Sequence, residues 1–284
     1  MTGLEAGLAL VLFLPGIALS ASSGADVKAR VSRDLAAGRP LVVHVVVALC
    51  DNDNQGIVPV PKAIGNGQDP VRNLYWGAGY GLDTYFTRHG GWTVERREAN
   101  PAPGILVRLV LSKTLRAEGR EGRDIVVHLV ADAWDGREIR KATERFLAMA
   151  AGRAAESVPA GKNGQALPAG GAAALVAYVG HDGLMDFSVP PPPAPLADAP
   201  PRSAIVLACA SKAYFGPHLE RAGAHPLVLT TGLMAPEAYT LEAAVSSWAA
   251  GDASDLTRRA AAAAYHRYQK CGARAAARLF TGEP

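Results

Sequence analysis

Two short apolar runs in this sequence end in residues suited to nucleophilic chemistry. Ala172–Val179 is followed by Gly180-His181-Asp182-Gly183, and Ala204–Leu207 by Ala208-Cys209-Ala210-Ser211. A thiol attacks only after losing its proton, and a neighbouring imidazole can take it. If the two runs are adjacent strands, their ends share one sheet edge about 5 Å apart. Cys209 is then the candidate nucleophile and His181 its base. Glycine allows close approach of a substrate, so the N–H groups of Cys209 and Gly183 are the candidate oxyanion donors. A third run, Leu41–Leu49, ends in Cys50-Asp51-Asn52-Asp53. On the same edge, Cys50, Asp51 and Asp53 are candidate substrate-binding residues, with Asp182 and Ser211 flanking the pair.

Other motifs fail on chemistry. Asp51-Asn52-Asp53-Asn54-Gln55-Gly56 opens like a calcium loop, but Lys62 stands where a bidentate Glu is required. His181-Asp182 has no further His or Cys at metal-ligand spacing. Gly65-Asn66-Gly67 lacks the Lys-Ser/Thr of a phosphate-binding loop. No metal and no organic cofactor is therefore expected. His44 and His128 sit inside apolar strands and read as hydrogen-bonded core residues. A net charge of +3, with no basic stripe interleaved with aromatics, argues against nucleic acid as a partner.

The elements that must position these residues follow from periodicity. The runs at 41–49, 125–130, 172–179, 204–207 and 227–229 are short and β-branched or apolar, as strands buried on both faces are. Residues 92–94 suit a minor strand. Residues 105–112 fit either helix or strand. Helical spacing runs over 139–150, over 241–248 behind Pro236, and over 254–279 behind Ser254. Asp69-Pro70 could open a helix to Phe86, although Gly77, Gly79 and Gly81 weaken it. By composition 116–123, 152–171 and the Pro-rich 189–201 are loops. Strands alternating with helices predict an α/β domain with a mainly parallel sheet and helices on both faces. The apolar run Gly7–Ala21, followed by small residues, has the length of a signal-peptide core and is short for a membrane span. The reading is a signal peptide over 1–25, a single domain over 26–284, export to the periplasm or medium, and no stable membrane insertion. Three cysteines, an odd number, then leave at least one thiol unpaired.

Ala-Tyr-Val-Gly-His181-Asp-Gly and Ala-Ile-Val-Leu-Ala-Cys209-Ala-Ser together resemble the paired signature of the caspase-like cysteine peptidases, the group of caspases, legumains, gingipains and separases. Cys209-Ala-Ser-Lys-Ala-Tyr-Phe215 is similar to the legumain version. The resemblance implies a caspase-like fold, a Cys209–His181 dyad, a thioester intermediate and a peptide or protein substrate. Two features depart from the family. Asp182 stands where a glycine N–H usually completes the oxyanion hole, and a Pro-rich segment replaces the helix between the two strands. The resemblance also implies a specificity pocket near the end of the first strand. There Asp51 and Asp53 predict a preference for Arg or Lys, with Arg72 as the opposing charge. A non-peptidase thiol hydrolase or acyltransferase, and a non-catalytic binding or scaffolding module, fit the same residues.

Overall fold

The computed structural model describes residues 22–116, 124–161 and 164–282; most of the expected signal peptide lies outside the described residues. The strands are β1 (Leu41–Ala48), β2 (Thr93–Ala102), β3 (Ile105–Arg116), β4 (Asp124–Trp134), β5 (Ala155–Ala160), β6 (Gln165–Gly170), β7 (Leu175–Val179), β8 (Ser203–Leu207), β9 (His225–Thr230) and β10 (Phe280–Thr281). The helices are α1 (Gly24–Ala36), α2 (Leu82–Arg88), α3 (Ile139–Ala150), α4 (Ser211–Ala222), α5 (Ala238–Ala249), α6 (Ser254–Gln269) and α7 (Ala273–Leu279).

Eight strands form one sheet in the order β10-β9-β8-β7-β1-β4-β3-β2. The five central strands are parallel, and β10, β3 and β2 join antiparallel at the two sides. The expected α/β architecture is therefore present as a mixed, mostly parallel sheet. β1 is buried at every position, which explains its run of valines: with both faces covered there is no polar side to alternate toward. Its odd-numbered side chains join a core with α1, α2, α5 and α6. Val42, Val46 and Ala48 join another with α3, α4 and the β5–β6 hairpin. Among the described residues no helix is long and apolar enough to cross a membrane.

Several sequence expectations need correction. The segment 152–171 is no plain loop but carries the β5–β6 hairpin. Residues 105–116 are a strand, and the minor strand at 92–94 extends to Ala102 as its edge partner. Charges such as Arg96, Arg97 and Glu98 kept β2 from reading as a strand, yet charge is what protects an exposed edge. The helix expected from Asp69 begins only at Leu82, with turns before it. The helix expected over 254–279 breaks where Lys270 turns left-handed at φ 55°. Helix α1 adds to the elements expected from periodicity. Ser23 and Asp26 form a reciprocal capping box at its start, so α1 begins inside the expected signal peptide.

The Pro-rich connection from β7 to β8 is held by an unusual division of labour. Proline has no N–H, so this strap offers mainly acceptors. Arginines supply the donors: Arg140 to Ser188 O, Arg153 to Ala194 O, Arg202 to Pro200 O and Arg30 to Pro201 O.

A buried polar line crosses the middle of the sheet. His44 Nδ1 accepts from Gly170 N at 2.8 Å, so Nε2 carries the hydrogen and donates to Asp132 Oδ2 at 3.0 Å. Arg108 grips both Asp132 oxygens at 2.6 and 2.7 Å and reaches Glu156 at 3.0 Å. Both histidines read as core residues are hydrogen-bonded, His128 to Glu95. Burial opposes charge on Asp132, but the hydrogen bonds from Arg108 and His44 win and hold its pKa down at about 2. We expect Asp132→Ala to destabilise the fold by about 3–5 kcal/mol, because Arg108 loses its buried counter-charge. A depressed carboxylate stabilises above its unfolded pKa and loses that contribution as pH falls through the folded value. Urea midpoints should therefore drop between pH ~4 and ~2 in the native chain, and less steeply in Asp132→Ala.

Candidate active site

The parallel strands run β4-β1-β7-β8-β9, so the chain reverses direction of winding between β1 and β7. Ligands of open α/β sheets bind beyond the carboxyl ends of the strands at such a switch point. Cys50 and His181 follow the two strands that flank the switch, and Cys209 follows β8 beside them.

Register places the central pair. Val179 of β7 is paired with Leu207 of β8, so His181 and Cys209 each lie two residues past the last rung. Gly180 N still donates to Leu207 O at 3.2 Å, which holds the chains together one residue beyond the ladder. Gly180 adopts φ 151°, and a Cβ there would lie 2.7 Å from Ala48 O, so the exit from β7 needs glycine.

His181 is buried, and its Nε2 lies 2.7 Å from Asp186 Oδ2. A carboxylate only accepts, so Nε2 carries the hydrogen, and in the neutral ring Nδ1 keeps the lone pair. Among the described residues Nδ1 has no hydrogen-bond partner. Asp186 is held in turn by Gly56 N at 2.9 Å. Sequence reasoning missed Asp186; its signal was a carboxylate five residues after the histidine in one short loop.

Cys209 is half-buried on a strand–turn–helix corner. Ala210 is left-handed at φ 50°, a strained conformation for alanine, and α4 starts at the next residue. The corner is locked from beneath. Ser211 Oγ donates to Val206 O and meets Thr230 Oγ1, whose hydroxyl bonds Ala208 O. The Cys209 sulfur donates to Met234 O at 3.6 Å and accepts from Met234 N at 3.4 Å. Among the described residues no hydrogen bond joins His181 to Cys209, and the Cys209 N–H has no backbone partner.

The remaining predicted residues divide. Gly183 N donates to His181 O at 3.1 Å, so it is not an oxyanion donor in this arrangement. Ser211 is fully buried and holds the corner rather than a substrate. Asp51 is also buried, with its carboxylate accepting from Asp53 N, Asn54 and Gln68. Asp53 is exposed and lines an 800 Å³ cavity with Lys62, Asp69 and Arg72. Arg72 pairs with Asp69 at 2.7 Å. Two acids facing two bases give this cavity no net charge, so the electrostatic ground for a basic preference disappears. Cys50 is buried, its main chain clamped by Asn73 Oδ1 and Nδ2. Burial pushes its thiol up to about 11, with a hydrogen bond from Tyr75 offsetting only part. Cys50 is thus a protonated core thiol, and all three cysteines are free.

Asp182 is fully buried. One oxygen accepts from Leu184 N at 3.1 Å and the other has no partner. Burial, with the nearby Asp186 charge, pushes its pKa up to about 7.

No family model, curated protein or solved structure matches the chain.

A carboxyl whose folded pKa is raised favours the protonated folded state, so stability declines as pH rises from ~4 to ~7 and levels off above. Asp182→Asn should remove that decline and stabilise the protein at pH 8 by up to ~4 kcal/mol. Denaturant midpoints at pH 4.5 and 8 test this; an unchanged slope in the variant would assign the decline to another group.

Proposed function

We propose that the chain is a cysteine-dependent hydrolase of the caspase-like type, acting on peptide or related acyl bonds. The observation that carries the reading is the register: parallel pairing of Val179 with Leu207 sets His181 and Cys209 level on adjacent strand ends. Asp186 on Nε2 supports it, because it orients the ring and leaves Nδ1 as the basic nitrogen.

In this mechanism Nδ1 takes the thiol proton and the sulfur attacks the substrate carbonyl. The sulfur is met by the Met234 N–H at 3.4 Å, and α4 begins two residues beyond it. The Cys209 N–H receives the oxyanion. The imidazolium returns its proton to the leaving group, and water then hydrolyses the thioester. A 370 Å³ cleft of mixed polarity lies between the segment after His181 (Leu184, Phe187, Ser188) and α4 (Tyr214, His218). The chemistry needs no metal or organic cofactor.

A second reading, a binding module without catalysis, draws on one observation: the resting thiol is docked on Met234 rather than on the imidazole.

Thiol labelling separates the two. Cys271 is exposed and would react regardless, so a Cys271→Ser background is used. We expect iodoacetamide to modify Cys209 and spare Cys50. Labelling and peptide hydrolysis should both fall by about 100-fold or more in His181→Ala. Asp186→Asn should cost only about tenfold, with a shifted pH profile, as suits a positioning residue. Cys209→Ala should abolish hydrolysis; wild-type turnover in that variant would sink the proposal, and an inert Cys209 would favour the module.

A further inference from the structure

At the amino-terminal edge of the sheet, where β8 and β9 begin, lies a 250 Å³ cavity. Its walls come from α1, the first residues of the two strands, the end of α5 and the turn into α6. Val27, Val31, Leu227 and Trp248 form an apolar wall. Two charges of opposite sign stand at the rim: Lys28 and Asp252 both line the cavity, and both are exposed. Among the described residues Lys28 makes no ion pair, and the Asp252 carboxylate accepts only from Ser247 Oγ, through Oδ2, so its other oxygen is open. Two acids close by do not line the cavity. Asp26 is held by Ser23 in the cap of α1, and Asp255 pairs with Arg259 at 3.6 Å.

Donors inside the cavity are unspent. Ser203 is only 1% exposed, and its hydroxyl has no hydrogen-bond partner among the described residues. Alternation along β8 puts that hydroxyl on the face of Ile205 and Leu207, the face that α1 and α5 cover, so it points into the cavity it lines. Helix α6 opens beside it with Ala253 at the N-cap, which supplies no side-chain cap, and the N–H groups of its first turn have no acceptors within the helix. In the same turn Ser254 Oγ meets His225 Nε2 at 3.2 Å, and both residues line the cavity. Burial, with the Arg258 charge nearby, lowers the His225 pKa, so the ring is neutral at neutral pH and adds no third charge. A buried hydroxyl without a partner is costly, and this one faces a space large enough to hold an acceptor.

We propose that this cavity binds a free amino acid with a small aliphatic side chain. Its carboxylate accepts from the Ser203 hydroxyl and the open N–H groups of α6, with Lys28 as counter-charge. Its ammonium meets Asp252, and its side chain lies along Val27, Val31 and Trp248. One cation and one anion at the rim match a zwitterion, where a simple anion would leave Asp252 opposing it. The volume falls just under the roughly 300–1,000 Å³ of drug-sized pockets, so the ligand is small. The site lies at the opposite end of the strands from Cys209 and does not rest on the reading of that residue.

Isothermal titration of the full chain with L-valine tests it. L-Valine should bind saturably at one site. Isovalerate, which lacks the ammonium, and isobutylamine, which lacks the carboxylate, should each bind at least about tenfold more weakly, since each loses a charge-assisted contact. Asp252→Asn should weaken L-valine by a similar factor and leave isovalerate unchanged; Asp252 is exposed, so the fold does not depend on it. Ser203→Ala should weaken L-valine and isovalerate alike and leave isobutylamine unchanged. No saturable binding of L-valine, or undiminished binding in both variants, would overturn the site. Isovalerate binding as tightly as L-valine would overturn the zwitterion as its ligand.

Discussion

Asp132 is the interaction around which the sheet is assembled. A carboxylate inside a sheet is tolerable only when every approach to it is occupied by a donor, and here the donors come from both neighbours. His44 arrives from β1 on one side and Arg108 from β3 on the other. Arg108 and Arg145 then reach Glu156, which ties the β5–β6 hairpin and α3 to the same centre. His44, Asp132 and Glu156 approach one another closely enough to suggest a cation site. The donors argue otherwise: Arg108 already supplies the positive charge, and the Nδ1 lone pair of His44 is spent on Gly170 N–H. A network so fully committed specifies one register of β1 against β4, and β1 in turn fixes where β7 can pair.

The parts of this architecture legible in the sequence were those governed by burial. The strands β1, β4, β7, β8 and β9 carry no polar alternation because both faces are covered, and so they read as apolar runs. Helix α3 read correctly because Ile139, Ala142, Thr143, Phe146 and Leu147 face the core at helical spacing. What stayed hidden was governed by partners. The hairpin at 155–170 has alanine, proline and glycine where strands have β-branched residues, and it is a strand pair because it can cover His44 and Val158 can join the core. The break at Lys270 has no glycine at the left-handed position to announce it.

The candidate site shows the same division. Placement of Cys209 and His181 at one edge follows from the pairing of β7 with β8, an adjacency the apolar runs left open. The roles of the flanking polar residues did not follow, because a sequence does not distinguish a carboxylate turned outward from one turned inward. Asp51, Asp182 and Ser211 are each consumed in holding a turn, through Asx-type or hydroxyl bonds to nearby backbone. Asp186, less conspicuous in the sequence, is the acid that meets the imidazole. Turn-forming residues at strand ends are ambiguous for a physical reason: the geometry that presents a catalytic group also leaves main-chain donors in need of acceptors.

The position of β1 also has a consequence for the order in which the chain can fold. It is the first of the described strands to be made and lies inside the finished sheet, between β4 and β7, with Val43 opposite both Leu129 and Leu175. During synthesis an eight-residue valine-rich strand therefore waits unpaired until Asp124–Trp134 has emerged, and its second edge stays open until β7 follows. Loop-closure entropy must be met before those distant pairings return anything, so assembly of the centre is slow by topology. The β2–β3–β4 meander, local and antiparallel, can form earlier and offer β1 a template. In the interval the exposed valines are open to aggregation, and the vulnerability of this protein lies in the time before its middle closes.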